Sequence, residues 1–379
     1  MIYMDNAATS WPKPEPVYTA VLNCMRKHGA NPGRSGHRMA IEAGNILLYT
    51  REMLCQLFSA DNPFRMVFTI NATESLNLAI KGSIQPGDHI VTTSMEHNSV
   101  ARPLKELEKR DVAATYVRAN SQGEIDPDDI RKAIRINTKL IITTHASNVT
   151  GTLIPIREIG RIAREHEILY LVDAAQTAGI IPIDLSSLPV DMMAMSGHKG
   201  LLGPQGTGVL YIAPHVKLKQ LKEGGTGSQS ESLFHPEFLP DRYEAGTLNT
   251  PGIAGLGAGI NYILREGQNK LLSRITRIEK FFLDALLQIP GIKVYGPARM
   301  ENRIGVISIN VKDFDSAYIA GLLDQKYNIA TRGAIHCSPM AHKTIGTLEQ
   351  GTVRFSPGIF NTLDEAKQCI RALEQLPRL

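Results

Sequence analysis

Short apolar runs recur along the chain and stop abruptly at polar or glycine-bearing turns, with stretches of helical periodicity between them. Residues 66–70, 89–93, 115–118, 139–144, 168–172, 190–195 and 209–212 read as strands. The segments 42–58, 126–134 and 156–165 read as helices, as does the stretch that opens Asn71-Ala72-Thr73 and continues through Leu76, Leu78, Ala79 and Ile80. Near the start, Trp11-Pro12-Lys13-Pro14 holds off a helix until about Val17; an amphipathic helix then runs to Met25. Strand and helix alternating in this way predict a mostly parallel sheet covered on both faces.

Beyond Ile212 the pattern changes. Periodicity is lost over 218–241, a small-residue helix follows at 255–264, and a long amphipathic helix covers 271–287. A strand at 306–311 and helices at 316–325 and 363–376 give the last part an α+β pattern. The expectation is a large domain over 15–262 and a smaller one built from 1–14 and 263–379.

With 379 residues, 43% hydrophobic and 21% charged, the chain is long enough for two such domains. Its net charge of +4 is slight and the two signs are interleaved, which argues against a nucleic-acid or membrane-surface partner. No basic leader precedes an apolar core, and no apolar run approaches the ~20 residues needed to span a bilayer, so a cytoplasmic protein is expected. Cys24, Cys55, Cys337 and Cys369 are widely separated and form no paired motif, so neither a disulfide framework nor a zinc site is indicated.

Three places carry chemistry. The strand at 190–195 ends in Ser196-Gly197-His198-Lys199, and Gly203-Pro204-Gln205-Gly206-Thr207-Gly208 turns the chain back into the next strand. A lysine at such a corner, in a pocket that disfavours its charge, has a lowered pKa and can form a Schiff base with an aldehyde; a solvated turn lysine is the alternative. Where the strand at 66–70 feeds a helix through Asn71-Ala72-Thr73-Glu74-Ser75, backbone amides face an open end and favour a phosphate, with Thr73 as a candidate cap. Cys337 sits in a Gly/Pro-bounded loop beside His336 and five residues after Arg332, where positive charge favours thiolate. A chance buried cysteine is the alternative.

The lysine segment resembles the pyridoxal phosphate (PLP) motif of class V aminotransferase-type enzymes, most closely the cysteine desulfurases of the SufS-like group, and the resemblance covers nearly the whole chain. It implies an α/β fold of the PLP-dependent transferase type (fold type I), with a mixed, mostly parallel seven-stranded sheet and a smaller α+β C-terminal domain. It implies a homodimer, PLP as cofactor, L-cysteine as substrate and a protein as sulfur acceptor. By the matching motifs, Lys199 binds the cofactor and later takes the Cα proton. Ala72 and Thr73 meet the phosphate, His97 stacks on the ring and is also a candidate catalytic proton relay, and Asn148 lies near the phenolic oxygen and on the substrate side. Asp173, which ends an apolar strand, holds the proton on the pyridine nitrogen, roughly one helix-strand unit before Lys199. Gln176, Ser196 and His198 are carried over as cofactor contacts, and Thr247 reaches the phosphate of the partner subunit. Arg354 clamps the substrate carboxylate, Arg332 lies on the substrate side, and the Arg34-x-x-His37 loop borders the entrance.

The Arg332 to Cys337 stretch resembles the loop that accepts sulfur as a persulfide while alanine is released. That loop is short, as in the group that hands sulfur to a dedicated acceptor, and the destination could be iron–sulfur clusters, modified nucleosides or selenium metabolism. Two departures stand out: Ala72 replaces a frequent threonine, and the segment before Tyr243 is shorter. A selenocysteine lyase would use nearly the same apparatus, whereas a class V transaminase would have no use for Cys337. A non-enzymatic sulfur carrier is disfavoured because every residue the chemistry needs is present.

Overall fold

The computed structural model of the chain describes residues 1–33 and 35–376. Numbered in chain order, its strands begin with the two-residue β1 (Ile2–Tyr3). The central sheet follows: β2 (Met66–Thr69), β3 (His89–Thr93), β4 (Ala113–Val117), β5 (Thr138–Thr144), β6 (Leu169–Asp173), β7 (Met192–Ser196) and β8 (Gly208–Ile212). Their order across the sheet is β2-β8-β7-β6-β5-β3-β4. All neighbours run parallel except where β8 meets β7 and β2, so the sheet is mixed and mostly parallel, as the pattern predicts.

Its strands read as continuous apolar runs because both faces are covered. Tyr170 and Val172 of β6 join Met193 and Met195 of β7 on one face, packed with Leu54, Phe58 and Ile159. Leu171, Met192 and Ala194 point to the other, against Leu76, Ile80 and Leu104. Each such side chain taken out of water is worth about 1.5–3 kcal/mol, enough to hold strand ends and the loops beyond them in fixed positions.

A second sheet, ordered β12-β10-β9, is antiparallel and unites β9 (Ile292–Tyr295), β10 (Ile307–Val311) and β12 (Val353–Phe355); the short β11 (Ile329–Ala330) pairs with β1. Met4 packs in the same cluster as Phe282, Ile309, Leu323, Phe355 and Cys369, so the first residues of the chain are fastened to its last third.

Several elements depart from the pattern. The first helix is Glu15–Lys27 and starts ahead of Val17, because Pro14 is its N-cap and Pro16 stands in the first turn, where a missing N–H costs no bond. The second, Arg38–Phe58, begins before residue 42, with His37 as its cap. The pattern gives no sign of the helix Asn98–Glu108, because Pro103 inside it masks the signal. The helix-strand unit expected between Asp173 and Lys199 has no helix; turns alone connect β6 to β7. Among the described residues no helix is long and apolar enough to cross a membrane.

Candidate active site

The parallel strands place their carboxyl ends side by side, where sites of open α/β sheets form. Asp173 is the last residue of β6 and Ser196 the last of β7. His97 follows β3 and Asn148 follows β5. The hairpin from β7 to β8 is closed by Gly197 N–H to Thr207 O (2.9 Å) and Gly203 N–H to Gly197 O (2.8 Å). A Cβ on Gly197 would collide with the Thr207 side chain, so only glycine permits this closure, and Lys199 stands at its bend.

These residues line one cavity of about 250 Å³: Ala72, Thr73, His97, Asn148, Asp173, Gln176, Ser196, His198 and Lys199 all contribute to its wall. Burial drives the Lys199 amine down to about 8, helped by the positive charge of Arg354 and Arg332 and opposed by Asp173. The Asp173 carboxyl is buried at 4% exposure. Burial pushes its pKa up, against the Ala175 N–H it accepts at 2.9 Å and the charge of Lys199. His97 is held neutral, its pKa lowered to about 4 by burial and by Lys199, Arg332, Arg354 and Arg102. Its Nδ1 accepts the Ser99 amide at 3.0 Å, which leaves the proton on Nε2.

The phosphate-like end has a different cap from the one expected. Asn71 Oδ1 accepts the Glu74 amide at 2.9 Å, so Asn71 caps the helix Ala72–Ser83 in place of Thr73. Thr73 Oγ1 is thereby free to share a proton with Ser99 Oγ at 2.7 Å. First-turn amides of a helix have no intrahelical acceptor, and beside them the buried Nδ1 of His198 lacks any partner among the described residues. Unspent N–H groups, an orphaned imidazole nitrogen, a reactive amine and a buried acid in one cavity form a donor set suited to a phosphorylated pyridine aldehyde.

Five residues named from the sequence stand outside that lining: Arg332, Cys337, Arg354, His37 and Thr247. Cys337 is exposed, with Arg332 Nη2 at 3.5 Å from its sulfur. Arg354 is 1% exposed and pairs with Asp5 at 2.8 Å, while Nη1 donates to Asn148 O and Nε has no partner among the described residues. His37 is an exposed helix cap that accepts the Ala40 amide at 3.3 Å. Thr247 receives a bond from Asn31 Nδ2 at 3.2 Å in a separate hollow. Arg34 lies outside the described residues.

A family model described as Aminotransferase class-V matches residues 2–369. The chain belongs to the class-V aminotransferase family. Within it, the chain is 35% identical to a probable cysteine desulfurase of Methanothermobacter thermautotrophicus, over 99% of this chain and 94% of that one. It is 31% identical to a cysteine desulfurase IscS of Dictyoglomus turgidum over the same shares. A solved apo structure of a cysteine desulfurase from Thermococcus onnurineus NA1 superposes with a TM-score of 0.90 at 32% identity, covering 100% of this chain and 94% of that one.

Sequence reasoning passed over several residues that shape this class-V site. Lys13 Nζ donates to His198 O at 2.8 Å and Ser10 Oγ to Lys199 O at 2.9 Å, so the N-terminal segment clamps the backbone that carries the lysine. A polar cluster directly before the Trp11-Pro12 pair was the available signal. Asp5, the partner of Arg354, gave none, because the two meet across 349 positions of the chain.

Glu96 is the other omission. It is fully buried, and its Oε1 accepts from Thr93 Oγ1 at 2.6 Å and from the Thr144 amide at 3.0 Å, tying the loop before His97 to the strand beside Asp173. Burial raises its pKa to about 8. The folded state therefore keeps its proton while the unfolded state releases it above the ordinary carboxyl value. Stability contributed at this site is present in full below about pH 4.5, declines as pH rises, and is lost by about pH 8. Glu96→Gln retains the acceptor oxygen and abolishes this titration. Urea unfolding is expected to show parent and variant differing little at pH 4.5 and the variant ahead at pH 8 by roughly 4 kcal/mol. An unchanged difference across that range would place the ionised form in the fold.

Proposed function

We propose that this chain is a PLP-dependent cysteine desulfurase that converts L-cysteine to L-alanine and takes the sulfur on Cys337 as a persulfide. The observation that carries the reading is the single cavity shared by Lys199, Asp173, His97 and Thr73, with Cys337 in a loop bonded to its wall.

Ala72, Thr73, Ser196 and His198 would hold the phosphate, Asp173 the ring nitrogen, His97 the ring face, and Gln176 and Asn148 the phenolic edge. Lys199 would supply the covalent link. When bound, PLP supplies an electron sink for the pair left at the substrate carbon. The Lys199 amine suits proton abstraction because its low pKa leaves a usable fraction unprotonated near neutrality. Arg354 offers a planar, permanently charged fork for the α-carboxylate, which would take the place that Asp5 holds.

Arg332 Nη2 stands 3.5 Å from the Cys337 sulfur. The Cys337 thiolate attacks the substrate sulfur; the S–S bond forms as the Cβ–S bond breaks, the released pair stays with Cβ, and protonation there together with return of the proton taken from Cα completes alanine. Cysteine and thiol go in, alanine and persulfide come out, and no external oxidant is needed.

A homodimer is part of this reading. His37 and Thr247 lie outside the chain's own cleft, which suits residues that serve a neighbouring one. Tyr18, Leu22 and Met25 expose an apolar face on the first helix for such a neighbour. A cytoplasmic setting and a dedicated acceptor protein complete the proposal.

Incubation of the purified protein with L-cysteine tests it. Alanine should accumulate and the peptide bearing Cys337 should gain one sulfur atom by mass; absence of alanine from protein loaded with PLP would remove the reading. Turnover of selenocysteine beside cysteine decides the preferred chalcogen.

A further inference from the structure

The loop that carries Cys337 is both strained and tied down. Ala334 (φ +77°), His336 (φ +47°) and Cys337 (φ +59°) all occupy the left-handed region, where a side chain crowds its own backbone. Such a run persists only where surrounding contacts hold it.

Ser316 and Thr352 hold the Ala334 backbone and the His336 side chain from behind, and three hydrogen bonds from the cleft wall hold the part that carries the thiol. Asn148 Nδ2 donates to His336 O at 2.8 Å, and Ser338 Oγ donates to Asn148 Oδ1 at 2.7 Å, so one amide grips the loop on both sides of the thiol. The Asn98 amide donates to Cys337 O at 2.8 Å. Asn98 opens the helix that His97 caps, and Asn148 lines the cavity itself. An amide has two N–H groups and two principal acceptor sites. Asn148 spends one of each on the loop, and among the described residues its other N–H is left for whatever lies in the cleft. Its backbone oxygen is fixed in turn by Arg354 Nη1 at 3.1 Å, and Ser338 is fully buried.

We propose that Ser338, acting through Asn148, and the backbone amide of Asn98 are positioning groups that tether the Cys337 loop to the cleft wall. They hold a strained loop closed, and thereby aim the thiol at the substrate sulfur. This rests on Cys337 being the sulfur-accepting residue. Without the tether the loop relaxes outward, where the thiol meets solvent more and the cleft less.

Two substitutions cut the tether at different points. Ser338→Ala removes the hydroxyl. Asn98→Pro removes the amide hydrogen at the first helical position, where proline is well tolerated, and His97 before it is already extended (φ −69°, ψ 156°) as a residue preceding proline should be. In each folded variant kcat for alanine release is expected to fall about tenfold, the worth of one positioned hydrogen bond, with KM for cysteine within about twofold.

Alkylation of Cys337 by iodoacetamide, measured on the holoenzyme without cysteine, is expected to quicken severalfold. If either variant fails to fold, the other carries the test. A folded variant that keeps the parental kcat or the parental alkylation rate overturns the tether, as does a loss expressed in KM. A parent chain that releases no alanine overturns the desulfurase reading instead, while the alkylation rates still decide whether the loop is held.

Discussion

Replacing Lys199 by Ala lowers alanine release from L-cysteine by about a thousandfold or more, the scale set by removal of a positioned general base, compounded here by loss of the cofactor's covalent anchor. The loss is chemical and not a failure to fold. Burial has driven this amine to about 8 from 10.5, so charging it in the folded state is unfavourable. That penalty is present in full below about pH 8 and fades as pH rises toward 10.5. At pH 7, in the cofactor-free protein, the substitution therefore relieves up to about 3 kcal/mol, set against lost side-chain packing, and the cofactor-free variant should melt no lower than the cofactor-free parent. Borohydride reduction of the loaded protein gives an independent readout. Peptide mass analysis should find the pyridoxyl group on Lys199 in the parent and on no lysine in the variant; a modified lysine elsewhere would show that the anchor has been misassigned.

Cys337→Ala should be nearly as severe for a different reason. Cys24, Cys55 and Cys369 are buried or half-buried, and burial pushes their thiols up, Cys55 to about 11, away from the reactive thiolate. Cys337 alone is exposed, with a guanidinium at its sulfur. Loss of a nucleophile at the reacting centre costs at least about a hundredfold in kcat, while KM should hold because the thiol is no part of the cavity wall. Cys24→Ala and Cys55→Ala should leave turnover within about twofold, as expected of residues remote from the chemistry. Sustained alanine production by Cys337→Ala would make the thiol dispensable and leave the positioned amine as the only chemistry in need of explanation.

Much of the central sheet was legible before any coordinates. β3 and the helix Ile156–Glu165 fall where the pattern puts them, and the other large-sheet strands lie within a few residues of expectation. Burial on both faces leaves an unbroken apolar signature that needs no partner to be read. β9 and β12 went unseen because each is short, and β12 has the charged Arg354 at its centre. That guanidinium is buried where Asp5 and the Asn148 carbonyl meet it, and nothing near residue 354 announces either partner. Glu96 is illegible for the same reason: its neighbours Thr144 and Asp173 come from other strands, and local pattern carries no information about what faces a carboxyl across a sheet.

What the chain's order of residues determined by itself was the alternation of strand and helix, the corner at Ser196-Gly197-His198-Lys199 and the singular setting of Cys337, since these depend on periodicity, turn chemistry and near neighbours. Only the tertiary structure decided which groups share a cavity, which cap replaced Thr73, why Arg354 turns to Asp5, and how Asn148 and Asn98 fasten a loop nearly two hundred residues or more away. Those outcomes come from long-range packing, which sets the dielectric and the hydrogen-bond partners of each buried group, and neither quantity is written in the residues beside it.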